Sequence, residues 1–268
     1  MKLHPRFKRG IYLLPNSLTI AGLFAGFYAI IAAMEGKFET AIISVFIAMT
    51  MDFLDGSIAR LTHTQSLFGT ELDSLADIVS FGVTPGLIIY TWSLRYLGKI
   101  GWLIAFLFTA SAALRLARFN AGVKLDDDTH FQGLPAPAAG GVLISFLWTC
   151  VENQWLGKTF AMPIALLTAF ISLLMVSPLH YPSIKSLNFK GRVPFIAILT
   201  VLFALVGIAL EPPRVLFFIF MVYSASPLIH LLSPSLSQKW LLKPKSFSQE
   251  QSSLLLSEDD DEQEEQKE

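Results

Sequence analysis

Four aspartates stand at fixed spacing in a part of the chain that otherwise reads as apolar helix: Asp52-Phe-Leu-Asp55-Gly56-Ser-Ile-Ala59-Arg60, eight residues, then Gly69-Thr-Glu-Leu-Asp73-Ser-Leu-Ala-Asp77. An ionised aspartate near a bilayer centre costs about 2.5–3.5 kcal/mol on insertion scales, so four without partners would cost roughly 10–14 kcal/mol. A positive charge has to meet them. Residues three, four and seven apart share one face of a helix, which puts Asp52, Asp55, Gly56 and Ala59 on one stripe and Gly69, Asp73 and Asp77 on another. A short link between antiparallel helices turns the two stripes toward each other, and four carboxylates converge. Carboxylate oxygens are hard ligands and neither stripe holds a histidine or cysteine, so Mg²⁺ or Mn²⁺ is expected rather than zinc. Gly56, Ala59 and Gly69 leave room for a flat base or a phosphate, and Arg60 adds a cation suited to phosphate oxygens. Two divalent cations held by acids beside an arginine are the apparatus for splitting a phosphoanhydride. The same acids fit two other readings: ion pairs with arginine that hold helices together, or a proton or cation path through a transporter.

The elements that position these residues are membrane helices. The composition is 53% hydrophobic and 15% charged, and the apolar residues gather in long runs rather than on amphipathic faces. Uncharged stretches cover Ile11–Met34, Ala41–Met51, Ile78–Leu94, Ile100–Leu114, Phe131–Val151, Thr159–Leu179, Val193–Leu210 and Val215–Leu232. The second, extended through the acids from about Phe38 to Leu61, is long enough to cross. The expected fold is all-α, a polytopic membrane helical bundle of about eight transmembrane helices. Placing the amino terminus in the cytoplasm puts Lys2, Arg6, Lys8, Arg9, Arg60, Arg115, Arg118, Lys190 and Arg192 on the cytoplasmic side, and leaves Lys37, Arg95, Lys99, Lys158 and Arg214 opposite. Both termini are then cytoplasmic. The basic start and apolar run resemble a secretory signal, but the run is longer than the usual h-region of 7–15 residues, so an uncleaved span is expected.

Three parts follow: a basic amphipathic lead at 1–12, a membrane-embedded catalytic domain at 13–232, and an acidic tail at 233–268 whose like-charge block is expected to be solvated rather than packed. No internal repeat of 20–50 residues is visible, which gives no support to an inverted-repeat transporter. The lone Cys150 can form no intrachain disulfide. Membrane lipids are the expected surroundings, and no nucleic-acid partner is expected.

The pattern D-x2-D-G-x2-A-R-x8-G-x3-D-x3-D resembles the signature of the CDP-alcohol phosphatidyltransferases, and every fixed position is matched between Asp52 and Asp77. The resemblance implies that Asp52, Asp55 and Asp73 ligate metal, and that Asp77 completes the metal site and serves as general base. It also implies that Gly56, Ala59 and Gly69 face the cytidine nucleotide, that Arg60 faces its phosphates, and that Asn16 and Thr19, at the entry to the first span, are near the nucleotide. A homodimer belongs to the same expectation, while the active site facing the cytoplasm, in the cell (inner) membrane, follows from the side bias of lysine and arginine.

The acids cannot name the acceptor, because the family shares the CDP-lipid half of its chemistry. The text from Glu71 to Pro85, then Arg115-Leu-Ala-Arg118-Phe-Asn120, then Phe131 to Gly140, looks like the phosphatidylserine synthase branch. The implied reaction moves the phosphatidyl group of CDP-diacylglycerol to L-serine and releases CMP. Arg115 and Arg118 close the fourth span on the side of the aspartates, where a carboxylate of serine needs a cation; Asn120 is placed to bond its amine or to cap the helix. The plain alternative for both arginines is membrane anchoring. Lys190 and Arg192 form a second cationic patch for lipid phosphate or for anchoring, Asp126–Asp128 read as a solvated loop, and His63 and His130 are weaker candidates for a base. Transfer to another alcohol, glycerol 3-phosphate or an inositol phosphate, stands as the alternative within the family.

Overall fold

The computed structural model describes residues 13–62, 64, 66–121, 130–182 and 195–232. The basic lead, His63, the Asp126–Asp128 loop, Lys190, Arg192 and the acidic tail therefore lie outside the described residues. Apolar helices occupy all eight hydropathy stretches: α1 (Leu13–Met34), α2 (Phe38–Leu61), α3 (Leu67–Trp92), α4 (Lys99–Asn120), α5 (Ala136–Glu152), α6 (Ala161–Val176), α7 (Phe195–Leu210) and α8 (Pro212–Leu232). The first four are long and apolar enough to cross a membrane; α5, α6 and the Leu199–Leu210 part of α7 are apolar but shorter. Phe24, Phe106, Leu166 and Phe203 point outward, as lipid-facing side chains do. This is a polytopic membrane protein. One compact unit ends at Ser226; of the second, the described part is the end of α8, Pro227–Leu232.

Two span boundaries differ from the hydropathy reading. Phe131 belongs not to a helix but to a three-residue strand β1 (His130–Gln132), which pairs antiparallel with β2 (His180–Pro182), Phe131 opposite Tyr181. Pro135 holds extended backbone at ψ 137° and delays α5 to Ala136. The sixth helix likewise stops at Val176, short of the expected Leu179, and Gly133 follows β1 at φ +79°, its N–H bonded to the Leu179 carbonyl at 2.8 Å. Strands this short carry no alternation signal. They join the segments after α4 and after α6, and Tyr181, 0% exposed, donates its hydroxyl to the Ser224 carbonyl of α8 at 3.0 Å. Burial pushes its phenol up to about 12, so it remains a neutral donor at ordinary pH.

α1 and α2 form an antiparallel pair packed through small side chains: Ala25, Ala29, Ala32 and Ala33 against Ala41, Val45 and Ala48, all buried. The third span is one helix from Leu67 that takes in the acids ahead of its uncharged stretch, so Asp73 and Asp77 sit within it. Between Ile78 and Val83 it widens to a π turn. Pro85 supplies the reason: it has no N–H for the carbonyl of Phe81, and an extra residue in the turn relieves the clash of its ring. Hydroxyls then tie α3 to α1, Ser80 Oγ to the Gly22 carbonyl at 3.4 Å and Thr84 Oγ1 to the Gly26 carbonyl at 3.2 Å.

A Cβ on Gly26 would stand 2.7 Å from Ser80 Oγ and 3.0 Å from Ser80 Cα. Gly26→Ala is therefore expected to force α1 from α3 and to destabilise the protein by roughly 1–3 kcal/mol, as overpacking does. The check is the melting temperature of the detergent-solubilised protein; an unchanged value would mean that the two helices are not so closely apposed.

Candidate active site

α2 carries the first two acids, Asp55 2% exposed and Asp52 half-buried. α3 carries Asp73 and Asp77, both half-buried. Ser66 sets where α3 begins: its backbone is extended at φ −136° and its Oγ accepts the N–H of Gly69 at 3.0 Å, capping the helix. The link from α2 is thus short and the stripes face each other. Carboxylate oxygens of Asp52, Asp55 and Asp73 all lie within 4.8 Å of one another. Asp77, one turn further along α3, borders a small cavity together with Asp52. Of the four carboxylates expected to converge, three lie within 4.8 Å of one another and Asp77 stands outside that trio.

None of the four acids is ion-paired with lysine or arginine among the described residues, where the ion pairs are Lys37–Glu35 at 2.7 Å and Arg214–Glu211 at 2.5 Å, both exposed. Ionised carboxylates 4–5 Å apart repel by roughly 3–4 kcal/mol per pair at an effective dielectric of about 20. Asp55 Oδ1 is buried and has no hydrogen-bond partner. An all-oxygen donor set with an orphaned buried lone pair fits a hard divalent cation, and the cluster can hold a metal.

Beside the acids opens a cleft of about 310 Å³, at the small end of ligand sites. Asp55 and Asp73 face it from the inner side; Gly56, Ala59 and Arg60 line it from α2, and Gly69 from α3. α1 contributes Pro15, Asn16 and Thr19. Every candidate for the nucleotide side thus lines one cleft. Arg60 is exposed there, with Nη2 donating to Ser57 Oγ at 3.3 Å. Thr64, Ser66 and Thr70 also line the cleft and were not singled out from the sequence, although a serine three residues before the helical Gly69 is a cap signal that marks the mouth. On the far side of the trio a cavity of about 10 Å³, bounded by Asp52, Asp77, Ala48 and Ser80, leaves little more than room for one water.

α4 approaches from the Asp77 side. Arg115 interacts electrostatically with Asp77 and with Tyr223 of α8, and its Nε is buried with no hydrogen-bond partner. The other two acceptor-side candidates face protein groups: Arg118 Nη1 donates to the Val176 carbonyl at 3.4 Å, and Asn120 Nδ2 to Ser74 Oγ at 3.0 Å. His130 lies in β1. Tyr223, whose ring centroid is 5.6 Å from that of Tyr181, was not legible from the sequence, because α8 reads only as hydropathy.

A membrane bundle with clustered carboxylates next to a nucleotide-sized cleft is the setting for a phosphoryl-transfer enzyme. The family model for CDP-alcohol phosphatidyltransferase matches residues 12–225, and the chain belongs to that family. It is a membrane-embedded phosphatidyltransferase. The chain is 35% identical over 225 residues to a CDP-diacylglycerol–serine O-phosphatidyltransferase of Helicobacter pylori, covering 83% of this chain and 93% of that protein. It is 32% identical over 249 residues to the enzyme of the same name in Mycobacterium tuberculosis, covering 88% of this chain and 84% of that one. An archaetidylserine synthase of Methanothermobacter thermautotrophicus is 32% identical over 177 residues, 65% of this chain and 72% of that protein.

Proposed function

We propose that this protein transfers the phosphatidyl group of CDP-diacylglycerol to L-serine, releasing CMP and forming phosphatidylserine, in the cell (inner) membrane with its site toward the cytoplasm. The observation that carries the reading is the meeting of Asp52, Asp55 and Asp73 within 4.8 Å, with Asp55 and Asp73 in a cleft also lined by Gly56, Ala59, Arg60 and Gly69. The names of relatives at 32–35% identity support serine as acceptor. The side bias of lysine and arginine supports the orientation, and the resemblance implies a homodimer.

In this reading the acyl chains stay in the bilayer and the diphosphate lies in the cleft. Arg60 holds phosphate oxygens, while the small faces of Gly56, Ala59 and Gly69, with Asn16 and Thr19 of α1 beside them, admit the cytidine. Asp52, Asp55 and Asp73, completed by Asp77, hold divalent metal, Mg²⁺ or Mn²⁺, which when bound neutralises the diphosphate and steadies CMP as leaving group. Asp77 takes the proton of the serine hydroxyl as that oxygen bonds to the lipid-side phosphorus, and the bond from phosphorus to the CMP oxygen breaks. Arg115, with an orphaned Nε near Asp77, receives the serine carboxylate; Arg118 and Asn120 flank it.

The test is a panel of alcohols offered to purified protein with CDP-diacylglycerol, scored by CMP release. Serine is expected to react, and glycerol 3-phosphate and inositol phosphate are not; activity with a phosphorylated acceptor alone would overturn the assignment. Arg115→Gln is expected to raise the KM for serine by roughly 10–100-fold, the worth of a hydrogen-bonded charge, with little change in the KM for the CDP-lipid. Equal loss on both substrates would remove Arg115 from the acceptor site.

A further inference from the structure

The hydroxyl of Thr19 lies 2.5 Å from Asp55 Oδ2 and 3.1 Å from the carbonyl of Pro15. A threonine hydroxyl has one proton, so it donates to one of these at a time. The carboxylate wins: hydroxyl-to-carboxylate bonds are charge-assisted, run to 2.5–2.7 Å, and are roughly twice as strong as neutral ones. Both partners are buried, Thr19 6% and Asp55 2% exposed, which limits competition from water for the bond. The bond holds one oxygen of Asp55 and frees the other. Oδ1 is buried and unpartnered, in a residue whose carboxylate lies within 4.8 Å of those of Asp52 and Asp73.

We infer that Thr19 of α1 is a positioning residue for the metal site: it fixes the rotamer of Asp55 through Oδ2 and so presents Oδ1 to a divalent cation. This inference rests on the proposed function in taking the carboxylate cluster as a metal site, and it gives Thr19 a task other than contact with the nucleotide. A hydroxyl whose proton is spent on Asp55 has only lone pairs left to offer the cleft. The device also couples helices. Asp55 is on α2, and Thr19 is 36 residues earlier on the helix packed most extensively against it, so the α1–α2 contact of small residues sets the ligand geometry. Outer-shell partners of this kind change metal affinity by roughly 10–100-fold when removed.

The experiment is Mn²⁺ binding to the purified, substrate-free full chain in detergent, read from the electron paramagnetic resonance signal of free Mn²⁺. Thr19→Val keeps the shape and removes the hydroxyl; Thr19→Ala removes the hydroxyl and a methyl; Thr19→Ser keeps the hydroxyl. The Kd for Mn²⁺ is expected to rise roughly 10–100-fold in the valine and alanine variants, and to stay within about threefold of the parent in the serine variant. A valine or alanine variant that binds as tightly as the parent overturns the role of Thr19 while leaving the metal site standing. So does a serine variant as weak as the other two, since packing and not the hydroxyl would then be responsible. A parent protein that binds no Mn²⁺ overturns the metal reading itself, and the inference with it.

Discussion

Asp77→Asn is expected to lower CMP release by roughly 10²–10⁴-fold, the usual contribution of a positioned general base, while leaving CDP-lipid binding and the fold largely intact. The substitution is chosen for what it preserves. Asparagine has the same shape as aspartate, and its amide can donate a hydrogen bond to the carboxylate of Asp52, which borders the same small cavity. What it loses is the capacity to take a proton; its amide oxygen can still face the metal held by Asp52, Asp55 and Asp73. The loss corresponds to roughly 3–5 kcal/mol of transition-state stabilisation. It should appear in kcat rather than in the KM for the CDP-lipid, because the bond to the proton is made only as serine attacks. The measurement is CMP release under saturating serine, paired with a binding isotherm for the CDP-lipid. Turnover within tenfold of the parent would mean that the base lies elsewhere.

Removal of divalent ions is expected to have an effect of similar size. The charge on the diphosphate and on departing CMP would then face the carboxylates of Asp52, Asp55 and Asp73, which already lie within 4.8 Å of one another. Loss of cation stabilisation is worth several kcal/mol, or roughly a thousandfold in rate. Chelation should therefore abolish CMP release, and Mg²⁺ or Mn²⁺ in excess should restore it. Stability should move with it. A cation present at about 100 times its Kd adds about 2.7 kcal/mol to the folded state, so the chelated protein is expected to melt lower. Protons compete with the cation for the same oxygens, so the ion concentration needed for half-maximal activity should rise as pH falls. Activity indifferent to chelator would return the acids to a proton path or to some other cation-free use.

The sequence alone determined the parts of the site that local geometry controls. Helical periodicity places Asp52, Asp55, Gly56 and Ala59 on one stripe and Gly69, Asp73 and Asp77 on the other, because the angle between residues of one helix is set by its own hydrogen bonds. Hydropathy located all eight helical stretches for the same kind of reason: the length of an apolar run is a property of contiguous residues. It erred where an apolar residue is not helical, at Phe131, whose strand pairing depends on a partner about 50 residues away.

The tertiary structure decided what reaches the site from elsewhere. Thr19 meets Asp55 because alanines on α1 and α2 let two backbones approach. Arg115 of α4 meets Asp77 of α3 on one side and Tyr223 of α8 on another, residues far apart in the chain, and the π turn before Pro85 rotates the rest of α3 relative to its acids. Such contacts depend on how one helix is rotated and shifted against another, which is fixed by the fit of many side chains at once. No run of neighbouring residues encodes that fit. It exists only once the bundle has closed.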